Sequence, residues 1–120
     1  MSNYNYQLRI KSDNISQVTE ILGLTSQCES DAFWMIEISE SALDPPIDYF
    51  SKFLGVLEGK YGELQRIGVS RSDLSIWILY EYEDQCNIEL RPENMAKLGK
   101  NGIVLCFSCW QRGEIIRFNA

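Results

Sequence analysis

Between Asp73 and Tyr82 the chain reads Asp-Leu-Ser-Ile-Trp-Ile-Leu-Tyr-Glu-Tyr, and this alternation constrains the fold more than any other stretch. Leu74, Ile76, Ile78, Tyr80 and Tyr82 share one parity; Ser75, Trp77, Leu79 and Glu81 share the other. Alternate side chains of a strand leave opposite faces, so this is a strand with one wholly apolar face and one mixed face. Its β-branched and aromatic residues suit a central place in a sheet.

Tyr4, Tyr6, Leu8 and Ile10 alternate with polar residues and predict a first strand. Ser12-Asp13-Asn14 supplies helix caps, Ile15, Val18, Ile21 and Leu22 follow at helical spacing, and Gly23 is a natural stop. Ala32 to Ser39 predicts a second strand, with Trp34, Ile36 and Ile38 opposite Phe33, Met35 and Glu37. Asp44-Pro45-Pro46 is expected to open the longest helix, whose apolar stripe runs from Ile47 to Leu64. Gly55, Gly59 and Gly62 weaken that helix or admit a close neighbour, and a break falls near Gly59–Gly62.

After the central strand, Glu83-Asp84-Gln85 reads as a hairpin turn and Cys86, Ile88 and Leu90 as a returning strand. Pro92-Glu93-Asn94 starts a short helix, and Ile103 to Trp110 is a further strand. Residues 111–120 form a tail, in which Glu114 to Phe118 adds an edge strand or orders against a partner. The order β-α-β-α-β-β-α-β predicts an α+β fold with a mixed, largely antiparallel sheet of about five strands and helices mainly on one face. The helical connections are long enough to join parallel neighbours, whereas the Glu83–Gln85 turn implies an antiparallel pair.

The chain resembles a bacterial family of small single-domain proteins known as a domain of unknown function. The resemblance rests on Leu8-Arg9-Ile10, on Ile15, Val18 and Ile21-Leu22-Gly23-Leu24, and on Trp34. It continues in Leu90, Pro92-Glu93, Met95 and Leu98-Gly99 ahead of the strand from Ile103. Lys100-Asn101-Gly102 departs from the pattern by lengthening the path into that strand. The resemblance implies an α+β fold and carries no catalytic signature.

A chain of 120 residues, 45% hydrophobic and 23% charged, is expected to form a single domain over 1–120 with its core at about residues 4–110. A net charge of -6 argues against nucleic-acid binding, which needs clustered Lys and Arg. No apolar run reaches membrane-spanning length and the first residues lack a secretory pattern, so a cytoplasmic protein with reduced cysteines is expected.

The chain has no histidine, which removes the usual general base and the commonest metal ligand. It also has no Gly-rich phosphate loop. Cys106-Phe-Ser-Cys109 has Cys-x-x-Cys spacing, but within a strand the two thiols leave opposite faces. Small buried thiols are therefore expected, with no metal and no cofactor. Glu37 and Glu81 both sit on mixed strand faces and could be neighbours across the sheet, the arrangement a carboxylate pair needs.

The strand residues that alternate with the core form the candidate surface. Arg9, Phe33, Met35 and Glu37 come from the first half of the chain. Trp77, Leu79, Glu81, Glu89 and Trp110 come from the second, beside Val104 and Cys106. Such a face is too apolar for plain solvent and too charged for core, a mixture common in binding sites. The leading expectation is a non-enzymatic module for a protein partner, such as an immunity protein that neutralises a basic toxin. The alternatives are a small-molecule or carboxylate-dependent hydrolytic site lined by Trp77, Trp110, Glu37 and Glu81, and self-association through this face.

Overall fold

In the computed structural model, which describes residues 3–41, 45 and 47–111, four strands form one mixed sheet. They are β1 (Asn3–Ile10), β2 (Trp34–Ser41), β3 (Leu74–Tyr82) and β4 (Val104–Gln111), and their spatial order is β2-β1-β3-β4. β1 lies antiparallel to both β2 and β3, while β4 runs parallel to β3. The chain is thus α+β with a mixed, mainly antiparallel sheet. Among the described residues no helix is long and apolar enough to cross a membrane.

The helices are α1 (Ile15–Leu22), α2 (Tyr49–Leu57), α3 (Tyr61–Arg66) and α4 (Pro92–Asn101). The Asn14 side chain accepts from the Gln17 N–H at the start of α1, and Gly23 ends it with φ of 72°. α2 starts later than the prolines suggest, because Asp48 accepts from the Ser51 N–H and sets the first turn. Asp44 and Pro46, two residues of the expected start, lie outside the described residues.

The long stripe breaks where Gly59 takes φ of 77°, which splits it into α2 and α3. A Cβ placed at Gly55, Gly59 or Gly62 would meet nothing within 4 Å, so these glycines serve no close approach.

Val18, Phe53, Leu57, Leu64 and Leu98 bring all four helices into one core with Leu8, Ile10, Trp34, Ile76 and Ile78. Apart from Gln7, every buried residue within the strands has the parity of Leu8 and Ile76. The helices therefore cover that side of the sheet, and the residues around Trp77 face the other way.

The expected fifth strand does not form. Residues 83–91 have no regular structure, although Ile88 and Leu90 pack against the core. Both neighbours of β3 are taken, by β1 and β4, so no hairpin partner fits beside it. A period of two reports an extended segment with one buried side, which here is met without a ladder. The parallel pairing expected across the first helical connection also fails. Residues 24–33 carry the chain back past α1, so Trp34 enters opposite Ile10 and β2 runs antiparallel. Residues 112–120, including the expected Glu114–Phe118 strand, lie outside the described residues.

Candidate functional site

The side of the sheet that no described helix covers is a lattice fixed by register. Across one row run Glu37, Gln7, Trp77 and Cys106; across the next, Met35, Arg9, Ser75 and Val104. Leu79 pairs with Asn5 and Ser108, and Glu81 with Trp110. The sequence places Arg9, Met35, Glu37, Trp77, Leu79, Glu81 and Trp110 together here, and the structure does the same.

Arg9 is the centre of this lattice. Its guanidinium carbon lies 4.0 Å from the centre of the Trp77 ring and 4.8 Å from that of Phe33. Phe33 precedes β2 rather than belonging to it, yet its ring reaches the same cation. Arg9 Nε–H donates to Gln7 Oε1 at 2.7 Å, and Gln7 Nε2–H donates to Glu37 Oε1 at 2.7 Å. Gln7 is only 8% exposed, and this relay satisfies both ends of its buried amide. Partial burial lowers the Arg9 pKa, while the thiols of Cys106 and Cys28 and the Glu37 carboxylate oppose that shift.

Two indole N–H groups are also held. Trp77 Nε1–H donates to Ser75 Oγ at 3.0 Å, and Trp110 Nε1–H to Glu81 Oε2 at 3.2 Å. Polar atoms of this face are tied to one another, while Met35, Leu79 and parts of the indoles stay half-buried and Val104 and Trp110 are exposed.

Gln7 was not singled out by the sequence. Its role depends on lying between Glu37 and Trp77, and that follows from the strand order rather than from any local pattern.

Glu89 does not belong to this surface. The segment expected to carry it as a strand passes on the helix side, where Glu89 Oε1 lies 4.0 Å from Arg91 Nη1. Glu37 and Glu81 are not neighbours either. β1 lies between their strands and they are four residues out of row, roughly 15 Å apart by strand spacing and rise. A general-acid and base pair built from these two is too wide to share one bond.

A cleft of about 610 Å³ lies on the helix side, lined by Tyr4, Tyr6, Tyr49, Asn87 and Lys97 among others. This is not the cavity expected around Trp77 and Trp110. Tyr6 and Tyr49 in its lining stack 3.8 Å apart, and Tyr4, also in the lining, stacks 4.1 Å from Tyr80. Glu40 buttresses this lining, accepting from the Tyr6 hydroxyl at 3.2 Å and from the Ile47 N–H at 2.7 Å. Burial pushes the Tyr4 hydroxyl up to about 12, and it raises Tyr6 and Tyr49 further, with the Glu40 carboxylate adding to both. The even spacing of Tyr4, Tyr6, Tyr80 and Tyr82 hints at the ladder; the contribution of Tyr49 does not show in the pattern.

Cys106 and Cys109 leave opposite faces of β4, as the rows with Trp77 and Tyr80 require. The thiols are not buried as expected: Cys86 and Cys109 are exposed and Cys28 and Cys106 half-buried, because β4 is an edge strand and Cys86 sits in an irregular segment. Among the described residues no group of three or more Cys, Asp or Glu is placed to hold a metal ion. Comparison with family models, with curated proteins and with solved structures finds no match to this chain.

Proposed function

We propose that the chain is a non-enzymatic protein-binding module that uses the side of its sheet that no described helix covers. The observation that carries this reading is the Arg9 site. A cation held between two aromatic rings and fixed by a buried amide sits amid half-exposed Met35, Trp77 and Leu79. Trp, Met and Arg are the residues that protein interfaces favour, and a side chain already held in place loses little freedom on binding.

The partner class is a basic protein. A net charge of -6 steers such a partner and speeds encounter more than it tightens the complex. Neutralisation of a basic toxin by an immunity protein is the narrower form, and cytoplasmic residence in a bacterium of the resembled family belongs with it. The test is co-purification from the native cell with the natural chain, Leu79→Glu and, as a helix-side control, Glu20→Lys. A basic partner lost only with Leu79→Glu supports the reading. A partner retained by Leu79→Glu and lost with the control contradicts it.

The second reading places a small molecule in the helix-side cleft. Its volume of about 610 Å³ is in the range of ligand pockets, and stacked tyrosine rings are part of its lining. A ligand there raises the melting temperature of the natural chain and of Leu79→Glu alike, which separates it from the face.

A further inference from the structure

The two edges of the sheet are treated differently. The outer edge of β2 is closed by the chain's own loop: Gln27 N–H donates to the Met35 carbonyl at 2.7 Å and Met35 N–H to Ser26 Oγ at 3.1 Å. Glu37 N–H donates to Gln27 Oε1 at 2.9 Å. The outer edge of β4 has no strand beside it among the described residues. Its sequence, Val-Leu-Cys-Phe-Ser-Cys-Trp-Gln, has no charge and no proline, two devices that normally keep a bare edge from pairing. It lies in the longest run of this acidic chain without Asp, Glu, Lys or Arg.

Three large apolar side chains are exposed on this one strand: Val104 at 44%, Phe107 at 46% and Trp110 at 38%. They are evenly spaced, with Phe107 in the middle. When two antiparallel copies of one strand are related by a two-fold axis normal to the sheet, opposed residues have numbers of constant sum and share a face. With the axis at Phe107, that residue opposes itself and Val104 opposes Trp110 of the second copy, twice over. Leu105 then opposes Cys109, and Cys106 opposes Ser108. Every exposed apolar side chain of the strand gains an apolar opposite, and no charge meets a like charge.

We propose that a second copy of this chain pairs with the outer edge of β4, antiparallel and centred on Phe107, to make one continuous sheet of eight strands from two four-stranded halves. The occupant is a second copy because the strand's apolar positions are symmetric about their own centre. A basic protein would find no acidic group on this strand to recognise. Two acidic copies repel over most of their surface, and this strand is where that repulsion is absent. The pairing leaves the face around Arg9 open and runs it on into the second copy.

The experiment is sedimentation equilibrium on the natural chain, Phe107→Lys, Val104→Lys, the control Met95→Lys, and a chain ending at Gln111. The proposal expects twice the 13.9 kDa chain mass for the natural protein and the control, and twice its own smaller mass for the shortened chain. It expects monomer for Phe107→Lys and Val104→Lys, each checked for native circular dichroism. Phe107 and Val104 are partly exposed, so both variants keep the monomer's core; should one fail to fold, the other decides. A natural chain that stays monomeric at every concentration overturns the proposal, as does a dimer that survives both lysines. A dimer seen only after residues 112–120 are removed also overturns it, because the edge would then be filled by the chain's own end. Only this chain is present, so failure here leaves the partner reading untouched.

Discussion

The guanidinium of Arg9 lies over the ring of Trp77, its central carbon 4.0 Å from the ring centre, on the side of the sheet that no helix among the described residues covers. A cation over indole is worth about 0.5–2 kcal/mol, more where water is excluded. Arg9→Ala is therefore expected to lower unfolding stability by about 1–2 kcal/mol. It should also shift tryptophan emission to longer wavelength as Trp77 gains water. Urea titration and emission spectra check both, and unchanged emission would place Arg9 away from the indole.

Gln7 joins Arg9 to Glu37, so its loss strands two partners. Gln7→Leu keeps the volume but removes both hydrogen bonds, leaving partly buried groups unsatisfied at about 1–3 kcal/mol. The double variant Gln7→Leu with Arg9→Ala should cost less than the sum of the two single changes. Strict additivity in urea melts would show that the relay is not coupled.

Strand parity makes a sharper contrast. Ile76 is fully buried and Leu79 only half-buried, although they stand three residues apart on β3. Ile76→Ala should destabilise by about 2–5 kcal/mol, as in other cores. Leu79→Ala should cost under about 1 kcal/mol, as expected where little apolar area is removed from contact. The reverse order in denaturant midpoints would turn the sheet over.

That parity was legible from residues 73–82 alone, because a period of two is a local property of the backbone. The caps at Asn14 and Gly23, and the break at Gly59, were legible for the same reason. What could not be read was anything set by neighbours. The Cys86, Ile88 and Leu90 alternation looks like a strand, and it lost its place because β4 had already filled the free side of β3. Glu89 left the candidate surface with it. Glu37 and Glu81 share a face, but their separation depends on β1 lying between them.

Alkaline pH should unfold the chain through its tyrosine stack. Burial and neighbouring groups raise Tyr4 to about 12, with Tyr6 and Tyr49 higher, above the ordinary value near 10. The folded state then holds protons that the unfolded state releases, so this contribution is complete below pH of about 10 and is lost as pH rises above it. Tyrosinate absorbance and circular dichroism followed together should change as one transition above pH of about 10. Full ionisation of every tyrosine with the native spectrum intact would contradict the stacked arrangement.

The thiols should react unequally. Burial, helped by the adjacent Cys86 thiol, pushes Cys109 up to about 11. The thiolate is the reactive form, so Cys109 should alkylate slowly near neutral pH and speed up toward pH of about 11. Cys86→Ser removes part of the cause and should move that profile to lower pH. Mass-spectrometric mapping of iodoacetamide adducts reads it directly, and a profile that Cys86→Ser leaves unmoved would separate the two thiols.

The most direct measurement is hydroxyl-radical footprinting of the purified chain, because the account depends on a sheet whose described helices lie on one side only. It predicts rapid labelling of Met35 and Leu79, intermediate labelling of Trp77 beneath Arg9, and protection of Trp34 and Ile76. Met35, Leu79 and Trp77 protected as fully as Trp34, with Ile76 labelled, would contradict it.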